Sequence, residues 1–369
     1  MRHRLPVAQP SLLPSLYAGW MGQLLAGQIP RETEATCEDC AMCAGPGQAE
    51  ASEVFFDPRT KCCTYVPRLA NFLVGRVLAD DDPAAAAGRV TVATRIRSGV
   101  GVTPLGLDQP PTFQILYENT APNSFGRSPS LRCPHYLEDE GGRCGVWKHR
   151  ASVCATWFCK HVRGATGLRF WQSLHQLLSG VERALSRWCV LQLDIGADAL
   201  RRLFPVPTTP GQLGAAQRRT LDDLVNREAG RALWGRWYDR EADFYRECGR
   251  LVGGLAWDDV VAIAGPEVQV FARMTMEAYD RLTSTDIPGR LKVGELNIVR
   301  MGPGSCRVAT YSGSDPLDLP PELMETLTYF EGRTTDQALR AIEAGAGLRI
   351  DQALIRRLVD FRILVPDEP

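Results

Sequence analysis

The sequence predicts an α+β protein that is mainly α: a cysteine-rich, metal-stabilised N-terminal domain, a helical middle and a small winged-helix-like C-terminal module. Three observations lead to this prediction. Nine of the twelve cysteines fall in the windows 37–63 and 133–159. Apolar residues recur with helical spacing after residue 168. Helix-capping signals occur in the last part of the chain. The predicted parts are an N-terminal arm 1–36, a metal-binding domain 37–167, a helical domain with a β connector 168–314 and the module 315–369.

Composition and charge limit the classes of function. The chain has 369 residues, 44% of them hydrophobic and 23% charged, as is ordinary for a globular protein. A net charge of −1 gives no strong signal for nucleic-acid binding, and no apolar run is long enough to span a membrane. Pro6, Pro10 and Pro14 interrupt the apolar N-terminal stretch, so we expect no signal peptide and a cytoplasmic location, where thiols stay reduced.

In the first half of the chain, two helices and two strands are expected. A short amphipathic helix is predicted over Leu16–Leu25, and the apolar spacing after Cys63 predicts a second helix around Leu69–Val77. The alternation in RVTVATRI (89–96) favours a strand, and TFQILYEN (112–119) is a second strand candidate.

The second half is expected to be helical, apart from its β connector. Leucines from Leu174 to Leu185 keep an i, i+3, i+4, i+7 rhythm. The stretch 227–252 reads as one helix whose aromatic residues pack in the core rather than stack on a cofactor or a nucleic acid. Residues 291–312 carry a hairpin signature around a Gly-Pro-Gly turn.

The predicted winged-helix-like module has clear capping signals. Thr334 and Gln337 form a plausible capping box, Asp351 can cap the following helix, and RILVP at the end reads as a short strand. Such a module favours docking of a protein or peptide partner. It lacks a basic recognition helix, although Arg356 and Arg357 leave a weak nucleic-acid contact open.

The clustered cysteines are the candidate functional residues. Random scatter would put only about two cysteines in these windows, so a metal site or a disulfide framework is indicated, and the reducing compartment favours metal. Thiolates are soft anionic donors that suit both zinc and an iron–sulfur cluster, and the choice stays open, as does one centre or two. The candidate ligands are Cys37, Cys40, Cys43, Cys62, Cys63, Cys133, Cys144, Cys154 and Cys159.

Other residues near these windows are assigned structural roles. Cys189, Cys248 and Cys306 lie in apolar or helical contexts and are expected to be buried. The histidines of the second window, and its acidic turn 138–140, are expected to form structural hydrogen bonds and a solvated loop respectively. The histidines are His135, His149 and His161.

The segment RCPHYL…GGRCGVWKHRASVCATWFC resembles the bacterial YkgJ-type cysteine-cluster family, which is described as a zinc- or iron-chelating domain. The resemblance covers about residues 37–159, and Cys133, Cys144, Cys154 and Cys159 lie on its more specific half. The first half departs from the pattern, because the family tends to have adjacent cysteines inside its first cluster, whereas here the adjacent pair is Cys62–Cys63.

Two functions follow as expectations. The first is a metal-binding protein with a structural or redox role and a C-terminal docking module. The alternative, implied by members of the family tied to protein modification, is an iron–sulfur-dependent protein-modifying enzyme, for example one acting in lysine methylation. The chain carries no recognisable nucleophile–base pair, phosphate-cradling loop or dinucleotide fingerprint.

Overall fold

The computed structural model describes residues 12–33, 40–43, 56–138, 142–204 and 227–367. These residues are mainly helical with short strands, which confirms the predicted α+β, mainly α class. They form two compact units, each discontinuous in sequence. The first comprises Met1–Gln28, Cys43–Trp157 and His175–Ala272, and the second Ile29–Met42, Phe158–Leu174 and Arg273–Pro369. The predicted segments 37–167 and 168–314 therefore each contribute residues to both units. In the part of the chain that the structure describes, no helix is long and apolar enough to cross a membrane.

The helices and strands are named here in chain order. Within the described ranges the α-helices are α1 Ser15–Leu24, α2 Asn71–Leu78, α3 Ala86–Ser98, α4 Pro111–Ser124, α5 Ser152–Thr156, α6 Gly164–Gln192, α7 Ala197–Leu203, α8 Arg227–Trp234, α9 Glu241–Gly253, α10 Trp257–Ala264, α11 Pro266–Thr283, α12 Pro321–Thr326, α13 Thr335–Ala346 and α14 Gln352–Asp360. The strands are β1 Leu69–Ala70, β2 Val102–Thr103, β3 Gly106–Leu107, β4 Tyr136–Leu137, β5 Arg143–Cys144, β6 Leu291–Val293, β7 Asn297–Gly302, β8 Ser305–Ala309, β9 Leu317–Leu319 and β10 Leu364–Pro366. The helices predicted at the N-terminus, after Cys63 and at 174–188 are confirmed by α1, α2 and α6.

The core of the first unit is built where α2 crosses α9. A Cβ atom added at Gly75 would lie 1.7 Å from the carbonyl oxygen of Tyr245, so the two backbones touch and only glycine fits. The side chains around this crossing are fully buried, and they include Phe72, Val74 and Phe244. Because close helix approach brings many side chains together, this crossing organises the unit.

The two strands predicted between residues 89 and 119 are wrong, since both segments are helical. In α3 the buried positions are Gly88, Val92 and Arg95, a helical spacing, while Val90 is 63% exposed. In α4, Pro111 occupies the first turn, where a missing N–H costs nothing, and Phe113 stacks on Tyr117 one turn later with ring centroids 5.7 Å apart. Local β propensity was outweighed by a helical capping position and i, i+4 pairing.

The single helix predicted over 227–252 is also wrong, because α8 and α9 are separate. The chain breaks at Gly235, which has a φ of 53° and whose added Cβ would lie 2.1 Å from the carbonyl oxygen of Ile195. The prediction that the aromatic residues pack in the core is confirmed for Trp234, Phe244 and Tyr245, which are at most 3% exposed.

The second unit contains two small antiparallel sheets and three helices over a common core. The predicted hairpin is confirmed: β7 pairs with β8, β8 with β9, and β10 returns to pair with β6. Cys306 and Val308 of β8 belong to the same apolar cluster as Leu358 of α14 and Ile363. The connector strands and the C-terminal helices therefore share one core.

The capping signals at the C-terminal helices are confirmed. The Thr334 hydroxyl accepts a hydrogen bond from the Gln337 backbone at 3.3 Å, and the Gln337 side chain accepts one from the Thr334 backbone at 3.0 Å. Asp351 accepts from the Leu354 backbone at 2.8 Å. RILVP ends in strand β10 as expected.

Candidate metal centre

Cys62 and Cys63 lie on a tight turn that is tied to the second cysteine window. Backbone hydrogen bonds from Thr60 and Lys61 to Asp57 close the turn. The backbone N–H of Cys133 then donates to the carbonyl of Cys63 at 2.7 Å. Residues 70 positions apart in sequence are thus joined directly, which pairs the two windows that the sequence analysis singled out.

A short hairpin positions Cys144. Strand β5 pairs with β4 so that Cys144 lies opposite Tyr136, and the Gly145 N–H donates to the His135 carbonyl at 2.7 Å. A Cβ added at Gly88 of α3 would lie 1.9 Å from the Gly145 carbonyl oxygen, so the helix packs directly on this hairpin. The segment that the sequence analysis took for a strand thereby supports the hairpin carrying Cys144.

Cys154 lies on the one-turn helix α5, which is fixed at both ends. Buried Glu182 of α6 accepts hydrogen bonds from the Ser152 backbone at 2.7 Å and from its hydroxyl at 2.8 Å. The carbonyl of Cys154 accepts from Nε of Arg150 at 3.2 Å. The surface of Cys154 stays accessible, although its sulfur is closely surrounded by protein atoms.

The electrostatics of these thiols place five of them in one neighbourhood. Burial, and then Cys144 and Cys62, raise the pKa of Cys133, whereas a hydrogen bond from the His135 backbone and the charge of Arg95 lower it, and the resulting pKa is about 12. Burial likewise raises the pKa of Cys154, with further increases from Cys144, Cys133 and Cys62. A hydrogen bond from the Cys63 thiol to Cys62 raises the pKa of Cys63 and lowers that of Cys62. Because such effects fall off with distance, these five thiols lie in the same neighbourhood of the first unit.

The other predicted ligands divide between the two units. Burial raises the pKa of the Tyr136 phenol, and the nearby thiols of Cys63 and Cys43 raise it as well. Cys40 and Cys159 belong to the second unit, and Cys37 lies outside the described residues. The eleven described cysteines form no disulfide with one another, and those predicted to be buried, Cys189, Cys248 and Cys306, are at most 2% exposed.

Of the histidines of the second window, His135 and His161 are buried and His149 is half-buried. The ring of His149 bonds Asp80 at 2.9 Å and that of His135 bonds the Thr91 hydroxyl at 2.9 Å. Burial lowers the pKa of His135 to about 3 and that of His161 to about 4, so both rings are neutral. Nε2 of His135 and Nδ1 of His161 are buried, and neither has a hydrogen-bond partner among the described residues.

Sequence reasoning missed one cation at this site. Arg95, 7% exposed, lies close enough to Cys133 to lower its pKa, and it donates to the Asp108 carbonyl at 2.6 Å. The signal that locates Arg95 is its spacing from Gly88 and Val92, which places it on the buried face once the segment is recognised as a helix.

The donor set suits a soft cation, since converging thiols oppose one another's ionisation unless a positive centre neutralises them. In the ranges that the structure describes, no group of three or more His, Cys, Asp or Glu side chains is already arranged to hold a metal ion. The five sulfurs therefore share a neighbourhood without forming a coordination shell. Comparison with known proteins gives no match to a protein family, to a curated protein or to a solved structure.

Proposed function

We propose that this chain is a metal-binding protein in which Cys62, Cys63, Cys133, Cys144 and Cys154 bind zinc or an iron–sulfur cluster. The observation that carries the proposal is the hydrogen bond of 2.7 Å from the Cys133 backbone N–H to the Cys63 carbonyl, which brings the two cysteine windows together. The influence of these thiols on one another's pKa supports it. In the reducing cytoplasm that we propose as the location, clustered thiols act as metal ligands more often than as disulfides. The resemblance to the YkgJ-type family supports the same chemistry.

The remaining clustered cysteines extend this proposal. Tetrahedral zinc and iron–sulfur clusters take four protein thiolates, so five converging cysteines exceed one centre. Cys43 is the next candidate ligand, because it raises the pKa of Tyr136 as Cys63 does. Cys37, Cys40 and Cys159 are the remaining candidate ligands. The metal holds the cysteine-bearing loops in shape or carries electrons.

Metal content of the anaerobically purified full chain tests the proposal. We expect bound zinc without colour, or iron with absorption near about 400 nm from thiolate-to-iron charge transfer. Cys154→Ser removes a ligand whose surface is accessible, so its folding is least disturbed. Cys133→Ser removes the ligand whose pKa Arg95 lowers. Cys189→Ser is the control, because the Cys189 thiol donates to the Cys248 carbonyl and is not among the proposed ligands.

Both ligand variants should lose metal, while the control keeps it. Folding is checked in parallel by circular dichroism, which separates loss of a ligand from loss of structure. Retention of full metal by well-folded Cys133→Ser and Cys154→Ser would remove these residues from the ligand set. Metal-free wild-type protein from anaerobic cells would reject the metal-binding function.

We further propose that the second unit docks a protein partner through strand β7, which precedes the predicted winged-helix-like module 315–369 in the chain. Five of the six residues of β7 are exposed, and Ile298, Val299 and Met301 are 48–72% exposed. On its outer side β7 pairs with no other strand of the described residues. Apolar side chains on both faces of an open edge suit an extended peptide that adds as a further strand with alternating apolar residues.

A displayed library of extended peptides, selected on the full-length protein, tests this docking site. Selected peptides should carry alternating apolar residues and should lose at least about tenfold in affinity for Met301→Asp, because a charge then replaces an apolar contact. Ile115→Asp is the control, since Ile115 is 50% exposed on α4 of the other unit. Equal binding to both variants would contradict docking at β7.

A further inference from the structure

A second feature of the first unit is a cavity of about 750 Å³ beside the cysteine site. Four chain segments form it: the start of α1, the end of α2, the 3₁₀ turn Trp147–His149 with Arg150, and one face of α9. The contact of Gly75 with α9 brings two of these segments together. A cavity of this size accommodates a small organic molecule.

The side chains around this cavity are mainly cationic. Five cations line it, and Asp80 is the carboxylate in the lining, already bonded by the His149 ring at 2.9 Å. The cations are Arg76, Lys148, Arg150, Arg246 and Arg250. Lys148, Arg246 and Arg250 also contact Asp82, Asp243 and Glu247 respectively, but those carboxylates lie outside the lining.

Arg150 and Trp147 both line the cavity, and their side chains stack on each other. The guanidinium of Arg150 lies 3.7 Å from the centre of the Trp147 ring and donates to the carbonyls of Trp147 and Cys154. These hydrogen bonds orient the guanidinium. Stacking on an aromatic ring stabilises a cation that has been partly removed from water.

Arg76 is the cation that the described residues satisfy least. It lies at the end of α2 between Gly249 and Gly253 of α9, and it makes no ion pair within 4.0 Å with any described carboxylate. Its Nε is buried and has no hydrogen-bond partner among those residues. A half-buried guanidinium without a partner is unfavourable unless an anion completes its hydrogen bonds.

We propose that this cavity binds the phosphate or carboxylate group of a small molecule, held by Arg76 at the base and by Arg246 and Arg150 at the sides. Guanidinium groups match the planar or tetrahedral oxygens of these anions with paired hydrogen bonds. Trp147, 47% exposed, offers an apolar surface to the rest of the molecule. The proposal stands independently of whether the cysteines bind metal.

Titration calorimetry on the full-length protein tests this site with inorganic pyrophosphate and with citrate, each at constant ionic strength. We expect saturable binding of at least one anion at one site per chain. Binding of pyrophosphate alone identifies a phosphate site, and binding of citrate alone identifies a carboxylate site. Chloride at the same ionic strength should give no saturable heat.

Two variants and one control decide whether the cavity is responsible. Arg76→Gln removes the unpartnered guanidinium, and Arg246→Gln removes an exposed one whose loss leaves the fold intact. Each should weaken binding at least about tenfold, since charge-assisted hydrogen bonds are strong. Arg183→Gln, on α6 outside the cavity and paired with Glu267, should bind within about twofold of wild type. Absence of saturable binding, or binding that Arg246→Gln leaves unchanged, would overturn the proposal.

Discussion

Substitution of Gly75 by alanine tests the helix crossing on which the first unit depends. The new Cβ would start 1.7 Å from the Tyr245 carbonyl oxygen, whereas such contacts are rarely shorter than 3.0 Å. Helices α2 and α9 must therefore separate by at least 1.3 Å, the difference of these two distances. Their interdigitated side chains are buried, so the separation loosens packing along the crossing. Overpacking of this kind costs about 1–3 kcal/mol, and a backbone clash lies at the upper end of that range.

The assay is thermal unfolding of the full-length protein by calorimetry, with the transitions of the two units fitted separately. A loss of about 3 kcal/mol lowers the midpoint of the first unit by about 6–12 °C. Gly22→Ala in α1 is the matched control, because an added Cβ there meets nothing within 4 Å. Alanine should stabilise α1 by about 0.5–1 kcal/mol. An unchanged first transition for Gly75→Ala would refute the argument that direct backbone contact organises this unit.

Two further predictions concern single groups. Thr334→Ala removes the capping hydroxyl of α13 and should lower the free energy of unfolding of the second unit by about 1 kcal/mol in urea titrations, whereas exposed Thr328→Ala should have less effect. Burial, and then Arg183, lower the pKa of His175 below 6.5. As the pH falls below 6.5, the unfolded chain binds a proton at His175 more readily than the folded chain does. The free energy of unfolding therefore decreases on acidification and is retained above pH 6.5. The urea midpoint of His175→Gln should therefore fall less than that of wild type between about pH 7.5 and 5.5, and an equal fall would contradict this role of His175.

Local patterns predicted those elements whose stability depends on neighbouring residues in sequence. The capping box at Thr334, the cap at Asp351 and the hairpin β7–β8 are contacts between residues a few positions apart. The long helix α6 follows from the leucine rhythm in its second half. The same reasoning failed for α3, because its β-branched residues suit either structure and the packing of Gly88 against Gly145 comes from a distant part of the chain.

The candidate site shows the same division. Clustering in sequence identified nine candidate cysteines in two windows, and a backbone hydrogen bond between Cys133 and Cys63 joins those windows. The strand prediction for 89–96 hid Arg95, whose helical spacing places it on the buried face. Periodicity gave no sign that Glu182 of α6 would accept a hydrogen bond from Ser152 of α5.

Residue types and their local spacing were enough to specify the mainly helical class and the caps, because propensity and capping are properties of neighbouring or individual residues. They also identified the candidate donors of the proposed metal site, since ligand softness is a property of the single residue. Local reasoning of this kind could not predict the discontinuous units, the contact of α2 with α9 or the cationic cavity. They arise from backbone contacts such as Gly75 with Tyr245 across 170 positions of sequence, and such contacts form only when distant segments bury their apolar surfaces together.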